Sequence, residues 1–107
     1  MRSLEVHKAG RLAGVLAEKS RQCYEFVYDE QYVRTAYPPI SVTLLKRTEP
    51  YRSKVVFPFF MNMLPEGVNR RTICRIRRVD EKDYFGLLMA FAEKDIIGDI
   101  TFKILNE

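Results

Sequence analysis

A change of hydrophobic period in mid-chain limits the folds open to this sequence. From Ser3 to Asp29 the pattern has period two in several places: Leu4 and Val6 alternate with Glu5 and His7, and Tyr24, Phe26 and Tyr28 alternate with Glu25, Val27 and Asp29. Period two sends successive side chains to opposite faces, so these runs predict half-buried strands. Lys8-Ala9-Gly10-Arg11 is a polar break with a glycine able to take positive φ, which joins Leu4 to His7 and Leu12 to Ala17 as a hairpin. A further strand is expected at Ile40 to Leu45, after Pro38-Pro39 and rich in β-branched residues, followed by a polar, turn-like stretch from Lys46 to Ser53.

The spacing then becomes helical. Val56, Phe59, Phe60 and Met63 fall at i, i+3, i+4 and i+7, with Ser53 as N-cap and Pro58 forcing a later start or a bend. Pro65-Glu66-Gly67 ends that helix. Val68 to Val79 predicts a second helix with Val68, Ile73, Ile76 and Val79 inward and its arginines outward. Asp80 as N-cap, Asp83 at N3 and the set Tyr84, Leu87, Leu88 and Phe91 predict a third. Ile96 to Leu105 alternates again as a final strand. Strands, then helices, then one strand imply an α+β domain: a small, mainly antiparallel β-sheet with about three helices packed on it.

The 107 residues, 47% hydrophobic and 30% charged, suffice for a single domain over 1–107 with one core. That length is too small for a two-lobed kinase, so the chain is expected to act through a surface. The longest apolar run, Val55 to Met61, contains Pro58 and falls far short of the roughly 20 residues that span a bilayer. The N-terminus, charged at Arg2, Glu5 and Lys8, lacks a secretory apolar region, so a cytoplasmic location and no membrane partner are expected. Cys23 and Cys74 stand alone and read as reduced thiols.

Catalytic chemistry has few footholds. His7 is the single histidine, and nothing places a cysteine or serine beside it. One histidine and two isolated cysteines do not make a metal site, and there is no GxxxxGK(S/T), GxGxxG, HRDxxxxN or DFG motif, so neither enzymatic activity nor a cofactor is expected. Asp80, Glu81 and Asp83 cluster where a helix dipole accounts for them.

Charge is distributed unevenly within a net +4. Gly67 to Val79 holds five arginines and no acid, whereas Asp80 to Glu107 holds seven acids against three lysines. An arginine-bearing helix is an ordinary solvated face, a protein contact or, less well supported without base-stacking aromatics, a nucleic-acid contact. The segment VVFPFFMNMLPEG, Val55 to Gly67, is richer in apolar side chains than one stripe can bury. Phe57, Met61 and Leu64 lie off the Val56-Phe59-Phe60-Met63 face; either one set turns to a partner or both lie in the core of a small domain.

Three blocks carry a resemblance: PISVTLL at Pro39 to Leu45, VVFPFFMNMLPEGVNRR at Val55 to Arg71, and DYFGLLMAFAEKDIIGDITF at Asp83 to Phe102. In order and spacing they resemble the N-terminal subdomain of the HipA toxin-kinase family, with YEFVYDEQYV at Tyr24 to Val33 fitting more loosely. Met63, Gly86, Glu93 and Asp99 depart from the family pattern. Kinase motifs follow this subdomain in the family, and the chain stops at Glu107, so it is not expected to be the kinase. A free-standing copy is similar to the HipS antitoxins of tripartite HipBST systems. That likeness implies binding and inhibition of a HipT-like Ser/Thr kinase toxin, in a ternary complex with a HipB-like helix-turn-helix protein that contacts DNA in its stead. The expected contact residues are Phe57, Phe60, Met61, Leu64, Pro65, Glu66, Arg70 and Arg71, and the Arg70 to Arg78 helix is expected to meet acidic kinase surface. An activating subunit of a split kinase and a basic nucleic-acid-binding module are the alternatives.

Overall fold

The computed structural model describes residues 2–62, 64, 68–80, 82–91 and 100–106, the side chains of 68–70, 73, 77 and 91 excepted. Three strands, β1 (Arg2–Lys8), β2 (Arg11–Ser20) and β3 (Cys23–Tyr28), form the expected meander. The β1–β2 connection is a two-residue turn with Ala9 at φ 51° and Gly10 at φ 80°, the paired positive-φ geometry that follows strand twist. After α1 (Glu30–Val33), capped by the Asp29 carboxylate, the chain reaches β4 (Tyr51–Ser53), α2 (Pro58–Met61), α3 (Val68–Arg77), α4 (Tyr84–Phe91) and β5 (Ile100–Asn106). The sheet order is β4-β3-β2-β1-β5, every neighbouring pair antiparallel. The α+β expectation holds.

Register explains where the core sits. One row, Ile104–Leu4–Leu16–Phe26–Tyr51, crosses all five strands on a single face. Phe60 of α2 packs on this face, its ring 5.7 Å from that of Phe26 and 6.0 Å from that of Phe102. Phe85 of α4 stacks on Tyr24 at 6.2 Å. Phe26, Phe60, Phe85, Leu4, Leu16, Leu87 and Leu88 are among the fully buried side chains. The opposite face carries Glu5, Glu25, Arg52 and Lys103, as period two requires.

Four local expectations are corrected. Ile40 to Leu45 is not a strand but a turn closed by a single Ser41–Leu44 bridge. The buried Tyr28 hydroxyl accepts from the Ile40 N–H and donates to the Leu44 carbonyl, supplying partners that a neighbouring strand would otherwise provide. Burial pushes that hydroxyl's pKa up to about 12, so it stays a donor throughout the physiological range. The fourth strand is instead Tyr51–Ser53, within the stretch read as turn, and Ser53 caps no helix. The helix after it begins later, one of the two outcomes expected of Pro58, with Phe57 as N-cap and Pro58 in its first turn, where a missing N–H costs nothing. Finally, α4 starts after Asp83 rather than Asp80. The Asp80 carboxylate accepts from the Lys82 N–H and its carbonyl from the Asp83 N–H, a separate turn, while Asp83 accepts from the Gly86 N–H as the cap.

Candidate functional site

The apolar segment from Val55 onward is where a contact surface was expected, and the structure divides it. Phe60 is 0% exposed, and Phe57 and Leu64 are also buried in the core cluster. The physical reason is the length of α2: four residues make one turn, so Phe57 lies ahead of the helix and helical-face arithmetic does not apply to it. Phe60 touches the rings of Phe57, Phe59, Phe26 and Phe102. Losing such a ring costs about 3–5 kcal/mol, so these side chains hold the fold together and present no surface. Met61 is half-buried and Arg71 is exposed; Pro65 and Glu66 lie outside the described residues, as does the side chain of Arg70.

Met61 helps to form a groove that sequence reasoning missed. Tyr24, Val55, Val56, Met61 and Tyr84 line it together with Arg21 and Lys54, and its volume is about 240 Å³. Val55 is 60% exposed there, an aliphatic side chain left in water. Residues from the β2–β3 turn, β3, the β4–α2 link, α2 and α4 meet in this groove. No local pattern marks such an assembly in the sequence.

A polar cluster adjoins it through Arg21 and Tyr24. Arg2, on the helix-bearing face of β1, donates from Nε and Nη2 to the two Glu18 oxygens, each at 2.8 Å. It also donates from Nη1 and Nη2 to the two Asp83 oxygens, each at 2.9 Å. Its guanidinium carbon lies 5.3 Å from the Phe85 ring centre. Two forked pairs on one planar cation tie the first strand to the start of α4. The hydrogen bonds from Arg2 lead in holding the Asp83 carboxyl below its usual range, with the Gly86 N–H helping and burial opposing. Asp83 and Glu18 raise the Arg2 guanidinium in return. A Cβ at Gly86 would lie 2.4 Å from Asp83 Oδ2 and 3.1 Å from Arg2 Nη1, so a glycine at this position accompanies the clamp.

Elsewhere, His7 Nε2 lies 3.0 Å from Glu5 Oε1, on the sheet face away from the helices. Cys23 is half-buried and Cys74 buried, both free thiols. Among the described residues no three His, Cys, Asp or Glu side chains converge as metal ligands, and no helix is long and apolar enough to cross a membrane.

A five-stranded sheet with its helices gathered on one face, and a small groove lined by β3, α2 and α4 residues, defines an α+β domain. The model of the HipA N-terminal domain matches residues 4–103, and the chain belongs to that family. A Haemophilus influenzae protein described as an uncharacterized protein is 30% identical over 103 residues, covering 96% of this chain and 92% of that one. A solved structure described as the N-terminal domain of HipA toxin is similar with a TM-score of 0.72. That match covers 100% of this chain and 95% of that chain at 23% identity, a shared fold.

Proposed function

We propose that this chain is an antitoxin-type binding protein, acting in the cytoplasm, that binds and inhibits a cognate HipT-like Ser/Thr kinase in a HipBST-type complex and has no catalytic activity of its own. A HipB-like partner supplies DNA binding in that assembly. The carrying observation is the match to the H. influenzae relative. Its aligned region takes up 92% of that protein, so that relative consists of little beyond a domain of this kind. A domain of the HipA N-terminal family that occupies most of a chain is suited to act on a kinase from outside. Such a subunit inhibits only if it binds an inactive arrangement more tightly than an active one, or covers the active site. The groove lined by exposed Val55 offers the apolar centre that a stable contact needs.

The test is toxicity rescue in cells expressing a HipA-like kinase that lacks this domain and is encoded beside the chain. Co-expression of the wild type restores growth; Val55→Glu, folded by circular dichroism, restores it poorly. Copurification of the two proteins with toxicity unchanged or increased overturns the antitoxin reading in favour of an activating subunit.

A further inference from the structure

Among the described residues, three exposed arginines on α3 and at its C-terminal end have no carboxylate partner, while several carboxylates elsewhere in the fold are paired. Glu18 and Asp83 pair with Arg2, Glu25 with Lys19 and Arg52, Glu30 with Arg34, and Glu5 with His7. Arg71, Arg75 and Arg78 are all exposed, and none pairs with a carboxylate among the described residues. Arg71 and Arg75 stand at i and i+4, as do Thr72 and Ile76, making two exposed rows: the Thr72–Ile76 row is turned away from buried Cys74 and the Arg71–Arg75 row flanks it. Ile76, expected to face inward, is 71% exposed. An exposed isoleucine beside the arginine row gains nothing from water and nothing from a phosphate backbone.

Arg78 adds a second, independent observation. The Val79 N–H bonds to the Cys74 carbonyl at 2.9 Å, closing α3 in a six-to-one loop, and Arg78 occupies its left-handed position at φ 56°. Glycine is the usual residue there because a Cβ is strained at positive φ. An arginine at that position places a third cation at the end of the exposed rows in spite of the strain.

We infer that the exposed face of α3, Arg71, Arg75, Ile76 and Arg78, is a docking surface for an acidic protein segment that also presents an apolar side chain. This deepens the antitoxin reading and rests on it, naming the chemistry of the kinase surface that α3 meets. Charge complementarity sets the approach and salt dependence of that contact, and Ile76 supplies its apolar centre.

The experiment measures binding of the full chain to the kinase used for rescue, by biolayer interferometry from 50 to 500 mM salt. An Arg71→Gln, Arg75→Gln pair, which leaves helix propensity nearly unchanged, weakens binding roughly five- to tenfold at low salt and flattens the salt dependence. Ile76→Ser weakens it at all salt concentrations. Arg78→Gly raises Tm by a few degrees while weakening binding; Ala9→Gly, which relieves the same backbone strain in the β1–β2 turn, raises Tm with binding unchanged. Wild-type binding with all α3 variants binding equally overturns this inference and leaves the antitoxin reading standing. Wild type that does not bind the kinase overturns both. Kinase binding indifferent to the arginines, together with arginine-dependent binding to a labelled DNA or RNA duplex, overturns the inference in favour of nucleic acid.

Discussion

Arg2 and Arg75 carry the same side chain to opposite ends. Arg2 lies between two carboxylates and an aromatic ring, with 27% of its side chain exposed, and every forked contact it makes is internal. Arg75 stands exposed on a helix with no carboxylate partner among the described residues. The difference lies in what the neighbouring elements bring near. β1 and α4 close on Arg2 from two directions and supply opposite charge, so its energy belongs to folding. Nothing described closes on Arg75 in the same way, so any energy it contributes belongs to association.

The largest effect expected from this contrast is on stability. Arg2→Ala leaves Glu18 and Asp83 facing one another and costs about 1–3 kcal/mol, below the range for fully buried pairs because the cluster is partly wet. Arg75→Ala stays within about 0.5 kcal/mol. Urea denaturation of both variants decides it, and equal costs would erase the distinction between the two sites.

A pH series sharpens the same point. Asp83 has a folded-state pKa below its ordinary value of 3.8, so its contribution is present above that value and is lost as pH falls through the lower, folded one. Asp83→Asn is therefore less stable than wild type by about 1 kcal/mol at pH 7, with a gap that holds above the ordinary carboxylate pKa and closes as pH falls through the lowered, folded-state one. A gap that survives in acid would mean that the carboxylate acts by shape alone.

The smallest effect tests the glycine. Gly86→Ala gains helix propensity of about 1 kcal/mol but pushes against the Asp83 carboxylate, for a net loss within about 1 kcal/mol. In an Arg2→Ala background, where Asp83 can move aside, the same substitution turns neutral or stabilising. Chemical denaturation of the four proteins of this double-mutant cycle measures the coupling.

Legibility in the sequence followed the range of the interactions. The β1–β3 meander, its hairpin turn and β5 were readable because period two and a turn glycine are local signals. Ile40 to Leu45 was misread because its β-branched composition is a strand signal, whereas its backbone bonds go to a hydroxyl on β3. Asp80 was taken for the cap because two aspartates three apart both precede an apolar run, and Arg2 helps to hold the second. The groove was legible only in Met61; Arg21, Tyr24, Lys54, Val55 and Tyr84 carry no shared spacing.

The sequence alone determined an α+β sheet-and-helix domain, its family and an unusually basic helix, since periodicity, turn chemistry and charge runs are properties of neighbouring residues. Only the tertiary structure decided which apolar residues are core and which are surface. Phe57 and Leu64 are buried while Val55 and Ile76 face water, because burial depends on what packs across from a side chain. Tertiary contacts likewise separated an arginine that stabilises the fold from arginines left exposed, because opposite charge arrives from strands and helices distant in sequence.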